Sequence, residues 1–134
     1  SPGDRIHTVR LGAEAPLTDS CSGHLLLAYA DPETRKEMID QAPSHLRTRV
    51  SKKKIDEIVE GILKRGHEVM ESQQVAGVQD IGYPIFDDSG SAIAALVMPY
   101  MQFLDGSEKT SATAANTAVA KAADKISFAL GHEK

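Results

Sequence analysis

Cys21 and His24 stand three residues apart in Asp19-Ser20-Cys21-Ser22-Gly23-His24. On a helix both side chains fall on one side, and a helix start lowers a thiol pKa, so a thiol–imidazole nucleophile is conceivable. The pair has no third residue to orient the imidazole, and its surroundings do not match the G-x-S-x-G turn of hydrolases. The sequence therefore predicts no catalytic residue and no enzyme, and Cys21 is expected to line a pocket or to be simply buried. His7, His24, His67 and Asp80 form a second set, because imidazole and carboxylate suit zinc and similar ions. With one cysteine and no H-x-x-x-H pair, hydrogen-bonded or surface histidines are the plainer expectation. A metal-binding sensor is the alternative; no metal ligand and no cofactor is assigned.

Asp80 is more telling. It interrupts the apolar run V-Q-D-I-G-Y-P-I-F from Val78 to Phe86 and, by alternation, shares a face with Val78, Gly82, Pro84 and Phe86. A carboxylate there is costly unless it is hydrogen-bonded or faces a wet cavity. Gly82 on the same face leaves space beside it. The opposing reading is an edge-strand aspartate turned to solvent.

The elements that must position these residues can be read in order. Arg5 to Leu11 alternates as a strand, with Ile6 and Thr8 on one face and His7, Val9 and Leu11 on the other. Thr18, Asp19 or Ser20 caps a short buried helix with Leu25 to Ala30 as its body. Asp31-Pro32-Glu33 starts a second helix carrying Met38, Ile39 and Ala42, stopped at Pro43. Arg47, Arg49, Lys52, Lys53 and Lys54 make a basic run, read as the solvated start of an amphipathic helix with Ile55, Ile58, Val59, Ile62 and Leu63 on its buried side. Gly66 ends that helix. Three lysines in a first turn run against the helix dipole. His67 to Glu71 is a strand candidate, and Val78 to Phe86 and Ser91 to Met101 form a hairpin around Asp87-Asp88-Ser89-Gly90. Pairing Phe86 with Ser91 puts Asp80 opposite Val97. A last helix, capped by Thr110 or Ser111, buries Ala115, Ala118, Val119, Ala122, Ile126, Ala129 and Leu130 before Gly131. The fold class is α+β, an antiparallel sheet with helices packed on it.

The whole chain, 134 residues, fits one domain, 1–134. Fifteen basic against 19 acidic residues leave a formal charge of −4, which is wrong for a surface that binds nucleic acid by neutralising phosphates. No apolar stretch reaches the ~20 residues of a membrane span. The N-terminus lacks a signal-like apolar region and the lone cysteine has no intrachain partner, so a cytoplasmic protein without membrane contact is expected.

Three strings carry a resemblance: G-A-E-A-P-L-T-D-S-C-S-G-H-L-L-L-A-Y, the helix end K-R-G-H, and S-Q-Q-V-A-G-V-Q-D-I-G-Y-P-I-F-D-D-S-G-S-A-I-A-A-L-V-M-P. Together, in one order from about Arg5 to Gly131, they resemble the effector-binding domain of the isocitrate-lyase-regulator (IclR) family of bacterial transcription regulators. The resemblance implies a GAF-like fold, a small-molecule effector, a homodimer or homotetramer, and DNA binding exercised by a winged helix-turn-helix that these residues do not contain. The chain thus looks like part of a longer regulator. Carried onto this sequence, the family's effector loop falls on Cys21 and Ser22, whose backbone N–H groups could hold an oxyanion. Later contacts fall on Met70, Asp80, Val97 and Pro99, with His7 and Ala15 as possible wall residues. Asp80 makes a simple keto acid uncomfortable, so the expected effector has hydroxyl, amine or amide groups on an apolar body. An oligomerisation-only domain is the competing expectation.

Overall fold

A computed structural model describes residues 14–44, 50–72, 76–101, 106 and 110–133. The predicted strand from Arg5 to Leu11, and with it His7, lies outside them, as do Arg47 and Arg49 of the basic run. Four helices and three strands are present among the described residues: α1 (Cys21–Tyr29), α2 (Pro32–Gln41), α3 (Lys52–Arg65), β1 (Glu68–Glu71), β2 (Val78–Phe86), β3 (Ala92–Met101) and α4 (Ala112–Ala129). The fold is α+β, as expected.

Side-chain oxygens stop each helix at its start. Ser20, Asp31, Ser51 and Ser111 accept from the N–H three residues on, in Gly23, Thr34, Lys54 and Ala114, which satisfies groups no helical carbonyl can reach. Gly66, at φ 84, closes α3 in the left-handed conformation that only glycine adopts without strain. At the end of α1, Arg35 of α2 donates from Nε to the Leu27 carbonyl (2.8 Å) and from Nη2 to the Ala30 carbonyl (3.1 Å). A cation there suits the negative end of the helix.

The sheet is antiparallel, in the order β1-β2-β3, and its two faces carry different layers. On one face Cys21, Leu25 and Ala28 of α1 are buried together with Ile55, Val59 and Ile62 of α3, and Met70, Ala95 and Val97 pack against that cluster. On the other, Ile81 is buried with Ala115 and Val119 of α4, flanked by Tyr83, Leu96, Met98 and Tyr100. Strand alternation separates the two sets.

Three sequence readings are corrected. The hairpin register places Asp80 opposite Pro99 and Gly82 opposite Val97, not Asp80 opposite Val97. The loop closes on Asp87 and Ser91, with Asp87 N–H on the Ser91 carbonyl and Gly90 N–H on the Asp87 carbonyl. Gly90 at φ 82 supplies the left-handed residue of a three-residue loop, and an irregularity between Ile85 and Phe86 adds the remaining shift. In α4 the buried positions are Ala115, Val119, Ala123 and Ser127, while Ala118, Ile126, Ala129 and Leu130 are exposed. The helix is turned so that Ser127 Oγ receives the Phe86 N–H at 3.0 Å. In α3 Leu63 is exposed and Ile58 only partly buried, so the apolar side is narrower than its sequence spacing suggests.

Candidate functional site

The start of α1 lies against the sheet at Gly82. A Cβ at that position would stand 2.5 Å from Cys21 Sγ, 2.7 Å from Leu25 Cδ1 and 3.4 Å from Val97 Cγ2, so the missing side chain is what admits the helix. Across the strands two rows run in register on this face: Glu68, Gly82 and Val97, then Met70, Asp80 and Pro99. Cys21 Sγ sits 3.9 Å from the carbonyl oxygens of both Glu68 and Asp80, and so touches both rows. Of the residues singled out from the sequence, Cys21, Met70, Asp80, Val97 and Pro99 therefore share one face. Ser22 is the next residue of the helix and partly buried; Ala15 is exposed.

The chemistry of this face is not that of a nucleophile. Burial, followed by the charges of Glu68 and Asp80, pushes the Cys21 thiol up to about 12, against the lowering expected at a helix start. Desolvation and two carboxylates outweigh the helix end. Burial also raises the Asp80 carboxyl above its ordinary value. That carboxylate has no hydrogen-bonding or charged partner among the described residues. The N–H groups of Cys21 and Ser22 belong to the first turn, where no carbonyl of the helix can take them. Beside this helix start the face carries the Asp80 carboxylate and the apolar side chains of Met70 and Val97.

The histidines do not meet Asp80. His24 Nδ1 lies 2.9 Å from Glu68 Oε2, and its Nε2 lies 3.0 Å from the Thr18 carbonyl oxygen. His67 stacks on Tyr83, a residue of the opposite face of the sheet, with ring centroids 4.9 Å apart. Among the described residues, no group of three or more His, Cys, Asp or Glu could hold a metal ion.

Sequence reasoning missed two residues. Glu68 is 7% exposed and joins three elements, since Arg65 Nη2 and the Val69 N–H also donate to its Oε1, each at 3.1 Å. The signal was its alternation with Met70. Gly23 is the other: a Cβ there would lie 1.9 Å from the Leu17 carbonyl oxygen, so the turn before α1 can fold onto the helix only over a glycine. An apolar seam behind the helix, lined by Thr18, His24, Leu27, Ile55, Ile58 and Val59, leaves no room for a water molecule. It is packing between α1 and α3.

A family model described as bacterial transcriptional regulator IclR, C-terminal, matches residues 3–128. The chain belongs to the IclR family. Its fold is similar to that of the Agrobacterium tumefaciens repressor BlcR, at 23% identity and a TM-score of 0.73 over 94% of this chain and 52% of that one. It is also similar to the C-terminal domain of the E. coli transcriptional regulator KdgR, at 23% identity and 0.69 over 87% and 72%. A third likeness is to an IclR homolog from Microbacterium hydrocarbonoxydans complexed with 4-hydroxybenzoate, at 22% and 0.68 over 92% and 50%. The chain thus spans about half the length of the BlcR and Microbacterium chains, and at these identities the likeness is one of fold. No curated protein matches it. The IclR family is one of transcription regulators, not of enzymes. No helix among the described residues is long and apolar enough to cross a membrane.

Proposed function

We propose that this IclR C-terminal domain, taken as a single unit over residues 1–134, senses a small molecule on the face formed by α1 and the three strands. Cys21, Ser22, Met70, Asp80, Val97 and Pro99 contact the effector there, with His7 as a further wall residue. The observation that carries this reading is the row Met70–Asp80–Pro99 beside the start of α1, with a partly buried carboxylate in the middle that has no partner among the described residues. Its oxygens reach solvent, so a donor on a ligand can take the place of water there and complete the group. The complement of Asp80 is a donor, so the effector carries a hydroxyl, amine or amide. The complement of the Cys21 and Ser22 amides is an oxygen acceptor, and the body between them is apolar.

The domain works by population shift. It assembles as a homodimer or homotetramer, and the effector favours the arrangement it binds better, which sets the spacing of winged helix-turn-helix heads that contact DNA. The acidic balance of this chain agrees with DNA contacts made elsewhere. An assembly role alone is the second reading, and the apolar outer side of α4 favours it, with Phe128 76% exposed.

A thermal-shift screen decides between them. The panel holds hydroxylated, amino and amide-bearing catabolic intermediates, with 4-hydroxybenzoate as the first probe because a structural relative holds it. A ligand at 100 times its Kd adds about 2.7 kcal/mol of stability, and Asp80→Ala should abolish that gain. A panel without a hit, on folded protein, overturns sensing and leaves assembly.

A further inference from the structure

His24 is 6% exposed, and both of its ring nitrogens face oxygens. Glu68 Oε2 lies 2.9 Å from Nδ1 and the Thr18 carbonyl lies 3.0 Å from Nε2. A carbonyl can only accept, and a neutral imidazole has one N–H and one lone pair. A neutral ring would therefore set a lone pair against an oxygen unless Glu68 itself carried the proton. Glu68 already receives the Arg65 guanidinium and the Val69 N–H on its other oxygen, the environment of a carboxylate. The arrangement is that of an imidazolium donating in both directions.

The neighbours agree in sign. Burial pulls the His24 pKa down, but the Glu68 hydrogen bond, the Thr18 carbonyl and the charges of Glu68 and Asp19 outweigh it, leaving the pKa above the ordinary 6.5. On the α3 side His24 shares an apolar seam with Ile55, Ile58 and Val59, and Arg65 of that helix is held on the far oxygen of Glu68. On its own helix the thiol of Cys21 stays neutral at physiological pH.

We propose that His24 is a positioning residue of the effector site: its imidazolium fastens the Thr18–Ser20 turn and the first turn of α1 to β1, fixing the Cys21 and Ser22 amides beside the Met70–Asp80–Pro99 row. This rests on the reading of that face as the effector site. Ser20 ties the turn to the helix from one side, through its bond to the Gly23 N–H. His24 ties it from the other, across 44 residues of chain to Glu68. Loss of the His24 proton breaks one of the two contacts and frees the turn.

The test is a ligand-free NMR titration of the whole chain between pH 5.5 and 9. Ring nitrogen shifts of His24 should report two N–H groups below a midpoint that lies above 6.5, and the Thr18, Cys21 and Ser22 amide signals should move with that same midpoint. A His24 ring with one N–H at pH 6, or amides that stay still while it titrates, overturns the proposal. In Glu68→Gln the midpoint should fall below the wild-type value; an unchanged midpoint also overturns it, and if that variant does not fold, the wild-type titration decides. Because no ligand is added, the two readings fail separately. A coupled titration beside an empty ligand screen sinks the effector reading alone, and an uncoupled one beside a genuine hit sinks the role of His24 alone.

Discussion

The space that a side chain on Gly82 would fill is held by the Cys21 thiol, 2.5 Å from where that Cβ would be. The two residues are 61 positions apart and define one point of contact between helix and sheet. Both obstructing groups are side-chain ends, but Cys21 and Leu25 are 3% and 0% exposed, so neither has space to swing away.

Gly82→Ala should therefore destabilise the domain by about 1–3 kcal/mol, the usual range for overpacking. Adding Cys21→Ala should recover part of the loss, because it removes one of the two clashing atoms. Thermal or urea melts of the two single variants and the double measure this as non-additivity. Additive losses would mean that the helix and strand do not meet here.

Gly23→Ala should be worse than Gly82→Ala. Its new methyl group meets backbone, the Leu17 carbonyl oxygen at 1.9 Å, and backbone cannot rotate aside. The expected cost is at or above the upper end of the same ~1–3 kcal/mol range, read in the same melts.

The His24–Glu68 pair makes stability depend on pH in a stated direction. The folded pKa of His24 lies above 6.5, so the folded protein binds the proton more tightly than the unfolded chain. Its contribution is complete below pH 6.5 and disappears as pH rises through the folded value. Melts from pH 6 to 9 should show that decline, and Glu68→Gln should flatten it. Glu68→Ala leaves a buried imidazolium uncompensated, for which about 3–5 kcal/mol is expected.

Asp80→Asn should raise stability at pH 7 while lowering effector affinity. Burial disfavours the ionised form, so the folded domain becomes less stable as pH rises from 3.8 through the raised folded pKa, and remains so above it. An amide removes that charge. Melts of both proteins at pH 7, alongside ligand titrations of each, separate the two effects; a less stable Asn variant would show that the carboxylate has a favourable partner.

Cys21 should resist alkylation. With its pKa near 12 against an ordinary 9.0, its thiolate fraction is roughly a thousandfold smaller than in the unfolded chain. Iodoacetamide labelling of native and urea-unfolded protein, followed by mass spectrometry, should show labelling only when the chain is unfolded.

The parts of this fold that depend on local chemistry were legible in the sequence. Asp31-Pro32 marked a helix start, Gly66 a helix end, and the apolar run from Val78 to Phe86 a strand with its bounds as observed. The pairing was not, because Gly90 takes the left-handed position of a three-residue loop and the irregularity at Ile85 leaves no mark in the residue pattern. The resulting shift of two residues kept Asp80 and Val97 on one face and moved them into different rows. The orientation of α4 was missed because Ser127 is buried by its bond to Phe86, which its polarity conceals. Glu68 was missed for the same reason, its partners His24 and Arg65 being supplied by other elements. For the site, alternation alone gathered Asp80 and Gly82; the assignment of Cys21, Met70 and Pro99 came from the family resemblance.

The guanidinium of Arg35 on the last carbonyls of α1 gives that nine-residue helix a fastening at its far end, as Glu68 does at its near end. Neither terminus is left to fray. An effector that displaces Cys21 should therefore shift α1 as one body, carrying its Arg35-held end along, rather than unwind it.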